Sequence, residues 1–123
     1  MIVVGTSKFV ENPIIEEFAG IIDEFIQYEE YDVLVEFEDK NIISTSEEIY
    51  SSLDESYIGR IITIVVYDNY NKIFDEVIKS LKERDFYDSD TFAHIEQLRE
   101  LYPKVIKEFE KIYGIQEKYF VII

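Results

Sequence analysis

Apolar residues recur along this chain in two rhythms, one near 3.6 and one of two, and the switches between them predict its elements. Ile2, Val3 and Val4 form a short apolar run that reads as a first strand. Asn12 followed by Pro13 marks a helix start, because Asn accepts from free N–H groups and Pro has none to lose there. Glu16 and Glu17 then sit near the positive end of the helix dipole. Ile15, Phe18, Ile22 and Phe25, with Ile14, Ile21 and Ile26 alongside, predict an amphipathic helix over residues 13–28. Next, Tyr31, Val33, Val35 and Phe37 alternate with Asp32, Leu34, Glu36 and Glu38, which predicts an edge strand with one wet face.

Thr45, Ser46, Glu47 and Glu48 have the spacing of a capping box and predict a short helix carrying Ile49, Tyr50 and Leu53. Residues 61–67 (IITIVVY) suit a central strand covered on both faces. Asp68 or Asn69 then caps a helix that buries Ile73, Phe74, Val77, Ile78 and Leu81. Ser89 or Asp90 caps a further one. Its Ile95, Leu98, Tyr102, Val105, Phe109 and Ile112 keep their spacing through Pro103, which predicts a kinked helix or two helices meeting at Tyr102. Gly114 is a natural stop, and residues 119–123 read as a last apolar strand.

The expected order is β-α-β-α-β-α-α-β. It argues for one layered α/β domain over residues 1–123, with a four-stranded, mostly parallel sheet packed with four helices. The short link over residues 39–59 also leaves room for an antiparallel pair.

Composition narrows the class without changing this picture. An apolar share of 47% and an aromatic share of 15% are those of a folded chain, long enough to need neither metal nor disulfide. Absence of cysteine excludes disulfides, thiolate metal sites and Cys nucleophiles. The opening residues lack a basic n-region, so no signal peptide is expected. No apolar run approaches the ~20 residues that span a bilayer, so a cytoplasmic protein without a membrane partner is expected.

Charge changes the picture more. The net charge is -15, and residues 11–55 hold fifteen carboxylates against one base, Lys40. Residues 61–123 hold twelve acids and nine bases, a balance of -3. The excess therefore belongs to one segment, and such a field repels itself unless something cationic meets it. It argues against direct contact with nucleic acid or anionic membranes and for a basic protein partner.

Candidate chemistry is sparse. His94 is the lone histidine and reads as a helix-surface residue; no G-x-S-x-G motif exists. Residues 4–7 (VGTS) follow a strand and precede a helix, but lack the phosphate-loop glycines, and Glu11, Glu16 and Glu17 would repel a phosphate. Glu38, Asp39 and Asp68, with Thr6 and Asn69, would gather beyond the carboxyl ends of parallel strands and offer hard oxygens to Mg²⁺, as a small metal-dependent enzyme requires. The competing interpretation is a solvated loop, and no cofactor is expected.

Rings and carboxylates interleave at residues 28–32, 54–57, 67–70 and 85–90. Tyr is a favoured interface anchor, a carboxylate beside it pairs with Arg, and its ring offers a cation–π face. The expected partner-binding set is Tyr28, Glu29, Glu30, Tyr31, Asp32, Glu36, Glu38, Asp39, Asp54, Glu55 and Tyr57. Lys104, Lys107 and Lys111 among Glu100, Glu108 and Glu110 read instead as an ordinary mixed helix face.

The expected function is non-catalytic: an acidic inhibitor that neutralises a basic, nucleic-acid-handling protein, its carboxylates standing in for phosphates. The partner would be a nuclease toxin or a nucleic-acid-binding defence complex. Immunity proteins of nuclease toxins and viral nucleic-acid mimics are similar to this chain in charge and size, with no shared motif. The alternatives are the small Mg-dependent enzyme and a regulatory subunit kept soluble by its charge.

Overall fold

The computed structural model describes residues 2–4, 11–51 and 56–123, with backbone alone at 2–4, 48–51 and 56–58. Its elements are β1 (Ile2–Val4), α1 (Pro13–Gln27), α2 (Tyr31–Asp39), β2 (Ile43–Ser51), β3 (Ser56–Val65), α3 (Tyr70–Glu83), α4 (Ser89–Tyr113) and β4 (Lys118–Ile122). The sheet runs β1-β4-β3-β2, and every neighbouring pair is antiparallel. The mostly parallel α/β sheet expected from the pattern is therefore wrong. Residues 31–39 are helix and residues 43–51 are strand, which turns the expected β-α-β alternation into two helices followed by a β-ribbon.

Both reversals have physical causes. Val33 and Phe37 are four residues apart, a spacing that fits one face of a strand and one stripe of a helix equally well. The two periods part at Tyr31, Val35 and Glu36. Tyr31 and Val35 are 58% and 42% exposed, whereas Glu36 is only 6% exposed, which is the helical outcome. For β2, the capping-box spacing over Thr45–Glu48 is a local signal. It loses to a nine-position register with β3, from Ile43↔Ile64 to Ser51↔Ser56, anchored by buried Ile42 and Ile43.

Elsewhere the local signals hold, except that Asn69, the N-cap of α3, makes no side-chain capping bond. The Asn12 side chain accepts from the N–H groups of Ile14 (3.0 Å) and Ile15 (3.2 Å), and α1 buries Ile15, Phe18, Ala19, Ile21, Ile22 and Phe25. Asn12 Nδ2 also donates to Glu108 at 3.0 Å, tying α1 to α4. That bond, with Lys111, holds the Glu108 carboxyl below the usual carboxylate range. The cap of α4 is Asp88, ahead of the expected Ser89 or Asp90, and it accepts from Asp90 and Thr91 N–H. It continues unbroken through Pro103 to Gly114, which takes a positive φ of 75°.

One core cluster draws on all four helices and on β2, β3 and β4. On the sheet, Ile43, Ile62, Ile64, Tyr119 and Val121 face it and are buried; Ile61, Thr63, Val65, Phe120 and Ile122, on the opposite face, are only half-buried. β3 is thus central, but its second face is not fully covered among the described residues. Tyr102 locks α4 to the end of β3, donating to the Val65 carbonyl (2.6 Å) and accepting from Tyr67 N–H (2.9 Å). Burial pushes its hydroxyl up to about 12. Among the described residues, no helix is long and apolar enough to cross a membrane.

Candidate functional site

Residues 11–39, which form α1, α2 and their junction, carry eleven carboxylates and no Lys, Arg or His. The junction is a Schellman turn. Glu30 N–H donates to the Phe25 carbonyl (2.9 Å) and Glu29 N–H to that of Ile26 (3.2 Å), with Glu29 itself at φ 56°. Asn41 after α2 and Asp85 after α3 occupy the same left-handed position, which glycine would normally take. Asn and Asp tolerate that backbone better than Glu does, so Glu29 is the most strained of the three.

The expected partner-binding residues divide into four groups. Tyr28 (75% exposed), Glu29, Tyr31, Asp32, Glu38 and Asp39 are exposed along the junction and α2. Glu30 is half-buried and accepts from Thr91 Oγ1 at 3.0 Å, holding the junction to the start of α4. Glu36 is a correction: it points inward and accepts a 2.7 Å charged hydrogen bond from Arg84, joining α2 to the end of α3. Asp54 and Glu55 lie outside the described residues, as do Leu53 and the 5–7 loop, and nothing is described of the Tyr57 side chain.

The exposed stripe of α2 faces the β2–β3 ribbon across a cleft of about 230 Å³. Its walls are Ile26, Tyr31, Leu34, Val35 and Glu38 from the helices and Thr45, Glu47 and Arg60 from the ribbon. Tyr31, Leu34, Val35 and Glu38 stand at i, i+3, i+4 and i+7, one face of a helix. Glu47 and Arg60 are partners in the ladder and pair at 3.4 Å. Glu38 makes no ion pair and no side-chain hydrogen bond among the described residues. Sequence reasoning found Tyr31 and Glu38 but missed Val35, Glu47 and Arg60, which meet only once 31–39 is helical and 43–65 is a ribbon.

The α2 C-terminus adds to the field. Glu36, Glu38 and Asp39 crowd its last turn, at the negative end of the dipole, and the first basic residue is the C-cap Lys40. Acids there oppose the helix by about 0.3–1 kcal/mol each at low salt when exposed, as Glu38 and Asp39 are.

Other candidates resolve into supports. Among the described residues no three His, Asp or Glu groups converge as a metal-holding set. Glu38 lines the cleft above, whereas Asp68 lines a second hollow of about 240 Å³ beyond β3, with Tyr67, Tyr70 and Tyr102. There Tyr67 accepts from Asn41 Nδ2 (3.1 Å), and Tyr70 lies 4.9 Å from the Tyr102 ring. His94 is half-buried with its ring edge-on to Phe25. In the 85–90 cluster Asp88 caps α4 and Phe86 meets Phe92, leaving Tyr87 exposed.

Comparison with known proteins matches no family model, no curated protein and no solved structure; the site is an acidic surface on α1–α2, with Glu36 alone in an ion pair among the described residues, ending in a tyrosine-walled, carboxylate-bearing cleft.

Proposed function

We propose that this protein is a non-catalytic inhibitor that binds and neutralises a basic, nucleic-acid-handling protein through the α1–α2 surface. The observation that carries the proposal is the gathering of eleven carboxylates over residues 11–39, eight of them on two consecutive helices, without one basic residue between them. Among the described residues, Glu36 alone of these is in an ion pair. A charge excess meant only for solubility would favour interspersed signs, which stabilise helices by about 0.2–0.5 kcal/mol per i,i+4 pair. A single-sign surface forgoes that gain, raises the on-rate of a cationic partner by about 10 to 10³-fold and disfavours anionic competitors. Exposed Tyr28 and Tyr31 supply rigid aromatic contact area beside the charges. The carboxylates would occupy the places that nucleic-acid phosphates take on the partner.

The test is affinity capture from the source organism at low salt, comparing the wild type with Glu29→Lys, Asp32→Lys, Glu38→Lys. Glu30 and Glu36 are left in place because they hold α2 to the fold. The expected result is a basic protein retained by the wild type, released by a salt step, displaced by duplex DNA and lost by the triple variant. Equal retention by both proteins would show that the surface has been misassigned.

A further inference from the structure

Resting on that reading, we infer that the cleft between α2 and the β2–β3 ribbon is the seat of one arginine side chain of the basic partner. At about 230 Å³ it is smaller than the roughly 300 Å³ at which small-molecule sites begin. Its lining matches a long amphipathic side chain. Leu34, Val35 and the Tyr31 ring flank the space where an alkyl stem would lie, and the Glu38 carboxylate stands one turn beyond Leu34 and Val35 on the same stripe. The chemistry is already present once within the molecule, since Arg60 pairs with Glu47 at 3.4 Å in this cleft. Glu38 is the carboxylate left without such a partner among the described residues. The negative end of α2 lies beside it, so the potential there favours a cation more than carboxylate counting alone suggests. Tyr31 and Val35, 58% and 42% exposed, are large apolar side chains that the fold leaves in water beside that charge. Arginine fits better than lysine, because its planar head forks onto a carboxylate where an ammonium offers only a point charge.

The test is an amide NMR titration of the full chain with N-acetylarginine amide, with the lysine and glutamine amides as comparators. Saturable shifts are expected at residues 31–38, 45–47 and 60, with arginine at least threefold tighter than lysine and glutamine silent. Glu38→Gln should weaken arginine binding by about tenfold, the worth of one partly desolvated charged pair. Arg60→Gln should tighten it, because Glu47 then loses its internal cation. Unchanged amide shifts outside the cleft verify that both variants fold. Equal binding of arginine and lysine, or no effect of either variant, overturns the arginine seat. Saturable shifts along α1 with none in the cleft overturn the seat and leave the acidic-surface proposal standing. If hexa-arginine at low salt also fails to produce saturable shifts anywhere, both are overturned.

Discussion

The two helical pairs of this molecule treat charge in opposite ways. α3 and α4 mix their signs: Arg99 pairs with Asp75 at 2.6 Å and with Glu96 at 3.5 Å, Lys111 with Glu108 at 3.2 Å, and Lys79 with Glu83 at 4.0 Å. α1 and α2 contain no base, and their one ion pair among the described residues borrows Arg84 from the end of α3. Both pairs bury apolar stripes in the same core, so the difference lies only on the solvent side. A helix face that must merely be wet acquires neighbours of opposite sign. A face that gives these up, places acids at the wrong end of the α2 dipole and holds a glutamate in a left-handed turn departs from three local preferences at once. Such departures concentrated in one place are the ground on which a functional surface is proposed there.

On α2, buried and exposed sides must separate as on a helix. Phe37→Ala removes a buried ring that meets Phe74 edge-on at 5.7 Å, and should cost about 3–5 kcal/mol in denaturant unfolding. Tyr31→Ala, on the opposite stripe, should cost less than about 1 kcal/mol by the same measurement. If the two losses were alike, α2 would be presenting them on one face, as a strand does.

On the balanced side, Tyr102→Phe should cost about 1–3 kcal/mol by leaving the Val65 carbonyl and the Tyr67 N–H without their partner. Its pH signature follows from the hydroxyl, whose folded value of about 12 exceeds its ordinary 10. The folded state holds this proton more tightly, so its contribution is full below pH 10 and is lost as pH rises toward 12. Unfolding followed across that window should show a decline that Tyr102→Phe removes.

Glu29→Gly should have a smaller effect. Glycine relieves the left-handed backbone and removes one repelling charge, so thermal unfolding should report a gain of up to about 1 kcal/mol. The same change should weaken binding of the basic partner, which separates strain kept for function from strain without purpose.

Much of the frame was legible in sequence, and the failures are specific. Asn12–Pro13, the 73–81 stripe of α3 and Gly114 carry capping and periodic signals that no tertiary contact opposes. Residues 31–38 misled because Val33 and Phe37 satisfy both periods, and the deciding fact, an inward Glu36, depends on Arg84 forty-eight positions away. Residues 45–48 misled because a capping box is visible locally and a strand register is not. Losing those two elements also lost the parallel sheet. For the proposed site, the charge pointed to the segment that carries the cleft, with Tyr31 and Glu38 among its walls. It could not reveal that Glu36 is structural, nor that Glu47 and Arg60 close the cleft, since that requires the ribbon.

The central claim is that the α1–α2 surface, and not net charge at large, receives a cation. Hexa-arginine binding measured by calorimetry at low salt tests it with two variants of equal charge change. One carries Glu29→Gln, Asp32→Asn and Glu38→Gln; the other carries Glu83→Gln, Glu96→Gln and Glu100→Gln, all exposed on α3 and α4. A loss of more than about tenfold is expected for the first and of less than about threefold for the second. Equal losses would contradict the claim, because the peptide would then be reading the net charge of -15 and no particular face.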